Sequence, residues 1–140
     1  MTKQSGGQTR MSLEEAREFF ALDRYATETT GVVIEEVEED YARCSVEIDE
    51  RHLGAHGQIM GGVIFTLCDF TFAVATNTKE HFTSTIASNI NFLSMAKDHK
   101  LQAICSKVKN GKRTVYYETK VTDGLGNLVA VATMTGMHMN

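Results

Sequence analysis

From Gly57 to Thr78 the chain runs for 22 residues with one charged side chain, Asp69, and beyond Gly61-Gly62 the run becomes strongly apolar. Such a segment reads as a buried helix. A helix that buries so much surface does not carry an ionised carboxylate at its middle unless that group has a partner or a task. The run resembles a membrane span in length, but Asp69 and five Thr or Asn side chains, Thr66, Thr71, Thr76, Asn77 and Thr78, set it apart. A helix of a soluble domain is therefore expected, with Asp69 as the first functional candidate. Its plainer reading is a structural carboxylate satisfied by amides or a threonine.

The rest of the composition narrows the function classes. At 140 residues and 42% hydrophobic content, the chain is one domain long and can bury a core without metal or disulfides. The expected division is a flexible lead over residues 1–11, without a cleavable leader, and a single domain over 12–140. A net charge of −4 argues against a general nucleic-acid surface, which needs clustered Lys and Arg. The three cysteines, Cys44, Cys68 and Cys105, are isolated among apolar neighbours, a pattern of buried thiols in a reducing compartment, so a cytoplasmic location is expected. His52 and His56 read as loop residues, and no His, Cys or acidic set has metal-ligand spacing.

Along the chain, Ser12 with Glu15 forms a capping-box pattern ahead of a helix to about Leu22, placed to cover a sheet edge. Gly31 to Glu38 and Tyr41 to Ile48 read as a hairpin turning near Glu39-Asp40; in its second arm Ala42, Cys44, Val46 and Ile48 alternate with polar residues. After the central helix come four strand-like runs, 84–95, 100–109, 113–123 and 127–138, separated by Lys97-Asp98-His99, Asn110-Gly111 and Asp123 to Asn127. They read as an antiparallel meander. The plan is α+β: a curved antiparallel sheet wrapped around one long central helix, with a short N-terminal helix, the hotdog arrangement. One such sheet leaves an edge and part of the helix uncovered, so a homo-oligomer, dimer or tetramer, is expected. Met134, Met137 and Met139 are assigned to the core or to a subunit interface.

Gly57-Gln58-Ile59-Met60-Gly61-Gly62, Leu67-Cys68-Asp69, Ala73 to Asn77, Asn89-Ile90-Asn91-Phe92-Leu93, Gly111-Lys112-Arg113-Thr114 and Gly126 to Ala130 together carry a resemblance. Over residues 25 to 138 the chain resembles the hotdog acyl-CoA thioesterases of the phenylacetate-degradation (PaaI-like) type. In that family a G-x-x-H-G-G motif leads into the central helix, and an acid follows nine residues after the histidine. Here Met60 stands at the histidine position and Asp69 at the acid, while Gly54 stands where the family often has asparagine.

The resemblance implies hydrolysis of an aryl- or short- to medium-chain acyl-CoA without a separate cofactor. It implies Asp69 as general base or nucleophile, the Gly61 amide as carbonyl polariser, and Thr85 as orienting residue, with Thr83, Ser84 and Ser88 as competitors for that role. Gly54, His56, Met60 and Gly62 are the matching substrate-side positions. Lys109, Lys112 and Arg113, with Lys107, form a basic hairpin suited to the coenzyme A phosphates. The chemistry agrees on its own terms: thioester hydrolysis needs a proton acceptor or nucleophile, and donors where charge develops on the carbonyl oxygen. Glycines at a helix start leave such donors open. Met60 donates no hydrogen bond, so the Gly61 amide acts alone, or His56 or Gln58 substitutes, or the chain binds acyl-CoA without turning it over.

Overall fold

The computed structural model describes residues 10–140; the part of the expected lead that falls on residues 1–9 lies outside the described residues. Ser12 caps helix α1 (Leu13–Phe20) as its spacing predicts. Its Oγ accepts from the Glu15 amide at 3.1 Å, and its own amide donates to Glu15 Oε1 at 2.8 Å. The helix stops two residues short of Leu22, and a π-helical turn over Tyr25–Thr30 follows that the sequence pattern did not indicate. Gly31, at φ +88°, ends that turn.

Strands β1 (Val33–Glu38) and β2 (Tyr41–Glu47) form the expected hairpin, with Asp40 in the left-handed region at φ +58°. The Asp40 carboxylate accepts from Tyr117 Oη at 2.5 Å and Asn110 Nδ2 at 3.1 Å, and pairs with Lys107 at 3.3 Å. Helix α2 (Gly61–Thr76) follows, then β3 (Thr83–Phe92), β4 (Lys100–Asn110), β5 (Thr114–Asp123) and β6 (Leu128–His138). Together they make the hotdog fold: one six-stranded antiparallel sheet, with α2 packed on β2, β4 and β5. Leu67, Cys68, Phe72 and Val74 enter a core with Leu101, Val115, Tyr117 and Met134, where the Phe72 and Tyr117 rings meet edge-on at 5.5 Å. Of the C-terminal methionines only Met134 is in that core; Met137 and Met139 are exposed.

The sheet order is β1-β2-β4-β5-β6-β3, which corrects the expected meander. Strands β4, β5 and β6 are consecutive hairpins, but β3 pairs with β6 on the far side rather than with β4. The cause lies in the connector between them, residues 93–99, which makes no tight turn and instead arches across the β5–β6 turn. The Leu93 amide donates to Val129 O at 2.8 Å and Ser94 Oγ to Leu128 O at 2.7 Å. The Lys97 amide donates to Asp123 Oδ2 at 2.8 Å, and in return the Gly124 amide donates to Asp98 Oδ1 at 2.9 Å.

The two sheet edges differ. Helix α1 lies along β1, where Arg17 Nε donates to the edge carbonyl of Ile34 at 2.8 Å, as expected for an edge cover. Among the described residues strand β3 has no neighbour on its outer side, and Ile86 and Phe92 are 53% and 54% exposed.

Burial alone would raise the Asp123 pKa. The Asn127 side chain and the backbone amides of Lys97, Asn127 and Leu125 outweigh it and hold the carboxyl at about 2. Because the folded value is depressed, this stabilisation is present at neutral pH and is lost as the pH falls through the folded value. Asp123→Asn is expected to lower the melting temperature by several degrees at pH 7, and thermal melts from pH 7 to pH 2 should show that difference shrinking below pH 4.

Candidate functional site

The loop entering α2 is built around a histidine that has no free nitrogen. His52 is buried, its Nδ1 accepts from the Asp49 amide at 2.9 Å, and its Nε2 bonds Thr30 O at 2.7 Å. The bond to Thr30 O requires the proton on Nε2, so His52 is the neutral Nε2–H tautomer and serves the loop. Residues 53–59 then fold back on themselves. Leu53 and Ile59 form an isolated bridge, the Gly54 amide donates to Gln58 O at 2.7 Å, and the Gly57 amide donates to Gly54 O at 2.9 Å, with Gly57 at φ +83°. The Met60 amide donates to His52 O at 2.9 Å, so helix α2 starts from a fixed point.

Met60 is the N-cap of α2, but its side chain makes no capping bond and is 51% exposed. Among the described residues the Gly61 and Gly62 amides find no acceptor, so they stay open at the positive end of the helix. A Cβ on Gly61 would lie 3.2 Å from Phe92 Cζ, a tight contact that the ring would have to yield to by a few tenths of an ångström; a Cβ on Gly62 would meet nothing within 4 Å. A cleft of about 1100 Å³ opens at this helix start. Its walls include Gly61, His56 and Gln58, the apolar Ile64 and Phe92, and the arching connector from Leu93 to His99.

Asp69 is not where its apolar surroundings suggest. It stands on the one uncovered stripe of α2, with Gly62, Phe65 and Thr66 below it and Ala73 above. In the single chain it is exposed, with no hydrogen bond or ion pair among the described residues. Partial desolvation, with a smaller contribution from Asp23, raises its pKa above the usual carboxylate value. Eight positions of helix separate it from Gly61, a rise of about 12 Å. The two groups therefore cannot meet at one carbonyl within one chain.

The other candidates disperse similarly. Thr85 is exposed on the free edge strand β3, beside a register shift between Thr85 and Ala87, and does not line the cleft. Ser84 and Ser88 share that strand, while Thr83 is buried at its start, its amide donating to Asn77 Oδ1 at 2.6 Å. Lys109, Lys112 and Arg113 sit at the β4–β5 turn, at the end of β4 opposite the cleft, and its eleven residues span about 35 Å. The cationic side chain that does border the cleft is Lys97. Cys44, Cys68 and Cys105 are buried with thiols pushed up to about 12 by desolvation, so none is a nucleophile. Gly54, which does not itself line the cleft, contacts the Gln58 side chain that does.

Comparison with known proteins agrees with this architecture. The family model described as "Thioesterase superfamily" matches residues 56–130, a span that contains the helix start, α2 and most of the cleft walls. A protein of Saccharolobus solfataricus, named as a candidate esterase, is 31% identical over 104 residues, covering 73% of this chain and 69% of that one. A variant of the phenylacetic acid degradation protein PaaI of Thermus thermophilus superposes with a TM-score of 0.75 at 25% identity, over 81% of this chain and 97% of the other. A thioesterase protein of Streptococcus pneumoniae, solved with coenzyme A, superposes with a TM-score of 0.79 at 22% identity, over 86% and 97% of the two chains.

A carboxyl group whose folded pKa lies above its unfolded value weakens the fold at higher pH, and the penalty vanishes as pH falls below the ordinary value of 3.8. Asp69→Asn is accordingly expected to melt at or above the wild-type temperature at pH 7, the two melts converging near pH 3.5; a clear loss of stability at pH 7 would mean that the carboxylate is structural.

Proposed function

The chain belongs to the thioesterase superfamily, and from that premise we propose that it hydrolyses an acyl-CoA thioester to free acid and coenzyme A. The observation that carries this reading is that two groups needed for the reaction lie on one helix and both lack partners among the described residues. These are the open Gly61 amide at the cleft and the unpaired carboxylate of Asp69. Gly61 N–H polarises the thioester carbonyl and stabilises the negative charge that develops on its oxygen. Asp69, as its carboxylate, either accepts a proton from the attacking water or attacks the carbonyl carbon itself.

The separation of about 12 Å along the helix means that Gly61 of one chain works with Asp69 of a second. The uncovered stripe of α2 and the bare edge β3 adjoin one another. Phe92 lies against Gly61 at one end, and Asn77 receives the Thr83 amide at the other. Pairing of two copies across this side covers both and forms a dimer, or a tetramer of two such dimers. Thr85 on β3 then serves to orient the carboxylate or the water. Lys109, Lys112 and Arg113, remote from their own chain's cleft, act as phosphate contacts for coenzyme A from the second copy. His56, Gly62 and Met60 border the thioester. The solution of a structural neighbour with coenzyme A supports this ligand. The acyl pocket is the apolar wall of Ile48, Ile59, Ile64 and Val129, suited to an aryl or short- to medium-chain group. Buried, non-nucleophilic thiols suit a cytoplasmic location, and no described helix is long and apolar enough to cross a membrane.

A second reading is a protein that binds acyl-CoA without hydrolysing it, favoured by the side chain of Met60, which offers no hydrogen bond at the helix start. Free-thiol release from a panel of aryl- and alkyl-CoA thioesters, with coenzyme A binding measured in parallel, separates the two. Turnover by the wild type, with an Asp69→Ala loss of at least about a hundredfold in kcat and binding retained, is the expected result. The acid limb of the kcat profile should fall with a midpoint above 3.8, because the Asp69 pKa is raised and its ionised form is the active one. Binding without turnover by either protein would replace hydrolysis with the binding role.

A further inference from the structure

We propose that His81, His138 and Thr83 form a binding site for a divalent first-row transition ion, outside the cleft and independent of the hydrolase reading. Their donor atoms converge where the start of β3 meets the end of β6. His81 Nε2 lies 2.9 Å from His138 Nδ1, and Thr83 Oγ1 lies 3.2 Å from the first and 3.4 Å from the second. Donors about 2.1 Å from one ion stand roughly 3.0 Å apart at right angles and roughly 3.4 Å apart in a tetrahedron, so the three edges match a single ion. Among the described residues no three His, Cys or acidic side chains make such a group. The third ligand here is a hydroxyl, that of the buried Thr83, which bonds only the two imidazoles among those residues. The histidines are 57 positions apart, too far for their spacing to give a metal signal.

The surroundings hold the rings as ligands. The Gly111 carbonyl can only accept, so its 3.1 Å contact with His138 Nε2 puts the ring proton there and leaves the lone pair on Nδ1, facing His81. Asn110 Oδ1 accepts the same proton at 3.0 Å, while Asn110 Nδ2 donates to Asp40 Oδ1 at 3.1 Å. A carboxylate thus fixes the ring through one amide, on the nitrogen that does not ligate, as around many metal-bound histidines. Burial, with a smaller contribution from His138, lowers the His81 pKa below the ordinary 6.5, so this ring is neutral at pH 7 and able to take a cation. Without an ion, His81 Nε2–H bonds His138 Nδ1; the ion displaces that proton, which the ring carries on Nδ1 instead, so none is released. His81 also borders a cavity of about 750 Å³ beside α1, whose charged lining is Glu15, Glu18 and Glu80 against Arg10 and Lys79, an approach that favours cations. Two imidazoles and a hydroxyl suit Ni²⁺, Cu²⁺ or Zn²⁺, and not Mg²⁺ or Ca²⁺, which need carboxylate oxygens.

The test titrates Ni²⁺ into the full chain at pH 7 by calorimetry, with Mg²⁺ as the contrast, and repeats it on His81→Gln, His138→Gln and the surface control His99→Gln. One Ni²⁺ per chain should bind the wild type and His99→Gln alike, with affinity weakened at least about tenfold in the other two variants and no Mg²⁺ bound. Wild-type affinity should fall steeply as the pH drops below 6.5, where protons compete for both rings. Should either substitution unfold the chain, the ring resonances of the wild type decide: substoichiometric Ni²⁺, being paramagnetic, should broaden those of His81 and His138 before those of His56 and His99. Absence of Ni²⁺ binding, undiminished affinity in both His81→Gln and His138→Gln, or first broadening at His56 or His99 overturns the site and leaves the hydrolase reading untouched.

Discussion

Burial of α2 against β2, β4 and β5 is the constraint on which the other parts depend. The helix is apolar on most of its circumference, so most of it must be covered, and the sheet covers all but one stripe. What remains open is narrow and specific: the glycines at its start, Phe65, and Asp69 at its middle. The same packing decides the geometry of the chemistry, because a buried helix is a rigid ruler. Groups placed on it keep their spacing, and a donor and an acid set eight positions apart act on one bond only when two rulers lie side by side.

The edges of the sheet show how the assembly problem is divided. One edge is closed within the chain by α1, at the small expense of one capping box and one arginine side chain reaching an edge carbonyl. The other is left as ten residues of β3 with an uncharged outer flank from Thr83 to Phe92, in which Ile86 and Phe92 are exposed. Nothing on that strand resembles the lysines or prolines that protect a solvent edge. Strand β3 and the stripe of α2 are therefore one continuous surface rather than two separate deficits.

Much of this was legible in the chain. The capping box at Ser12, the turn at Asp40 and the alternation along β2 are local signals, and each element lies where its signal falls. Strand order was not legible, because the seven residues after Phe92 carry turn-forming residues whichever way the chain goes; what sends them over β5 and β6 is Asp123, a tertiary partner some 26 positions away from Lys97. The π-helical turn at Tyr25 had no periodic signal either. For Asp69 the apolar neighbourhood singled out a lone carboxylate, but the pattern could not separate burial inside one chain from exposure on an open stripe. The scattering of Gly61, Thr85 and Arg113 along one chain was invisible for the same reason, since sequence spacing contains no information about a second copy.

The reciprocal bonds between Lys97-Asp98 and Asp123-Gly124 anchor the far end of a connector whose middle, Leu93 to Ala96, forms a wall of the cleft. Lys97 and Asp98 belong to both anchor and wall, whereas Leu93, Met95 and Ala96 line the wall without bonding Asp123 or Gly124. Drift at Leu93, Met95 or Ala96 can reshape the cleft without loosening the strands, whereas drift at Asp98 or Asp123 moves the whole arch. A lineage of such chains can diversify its ligands through a few positions in one arch while the sheet and helix stay as they are.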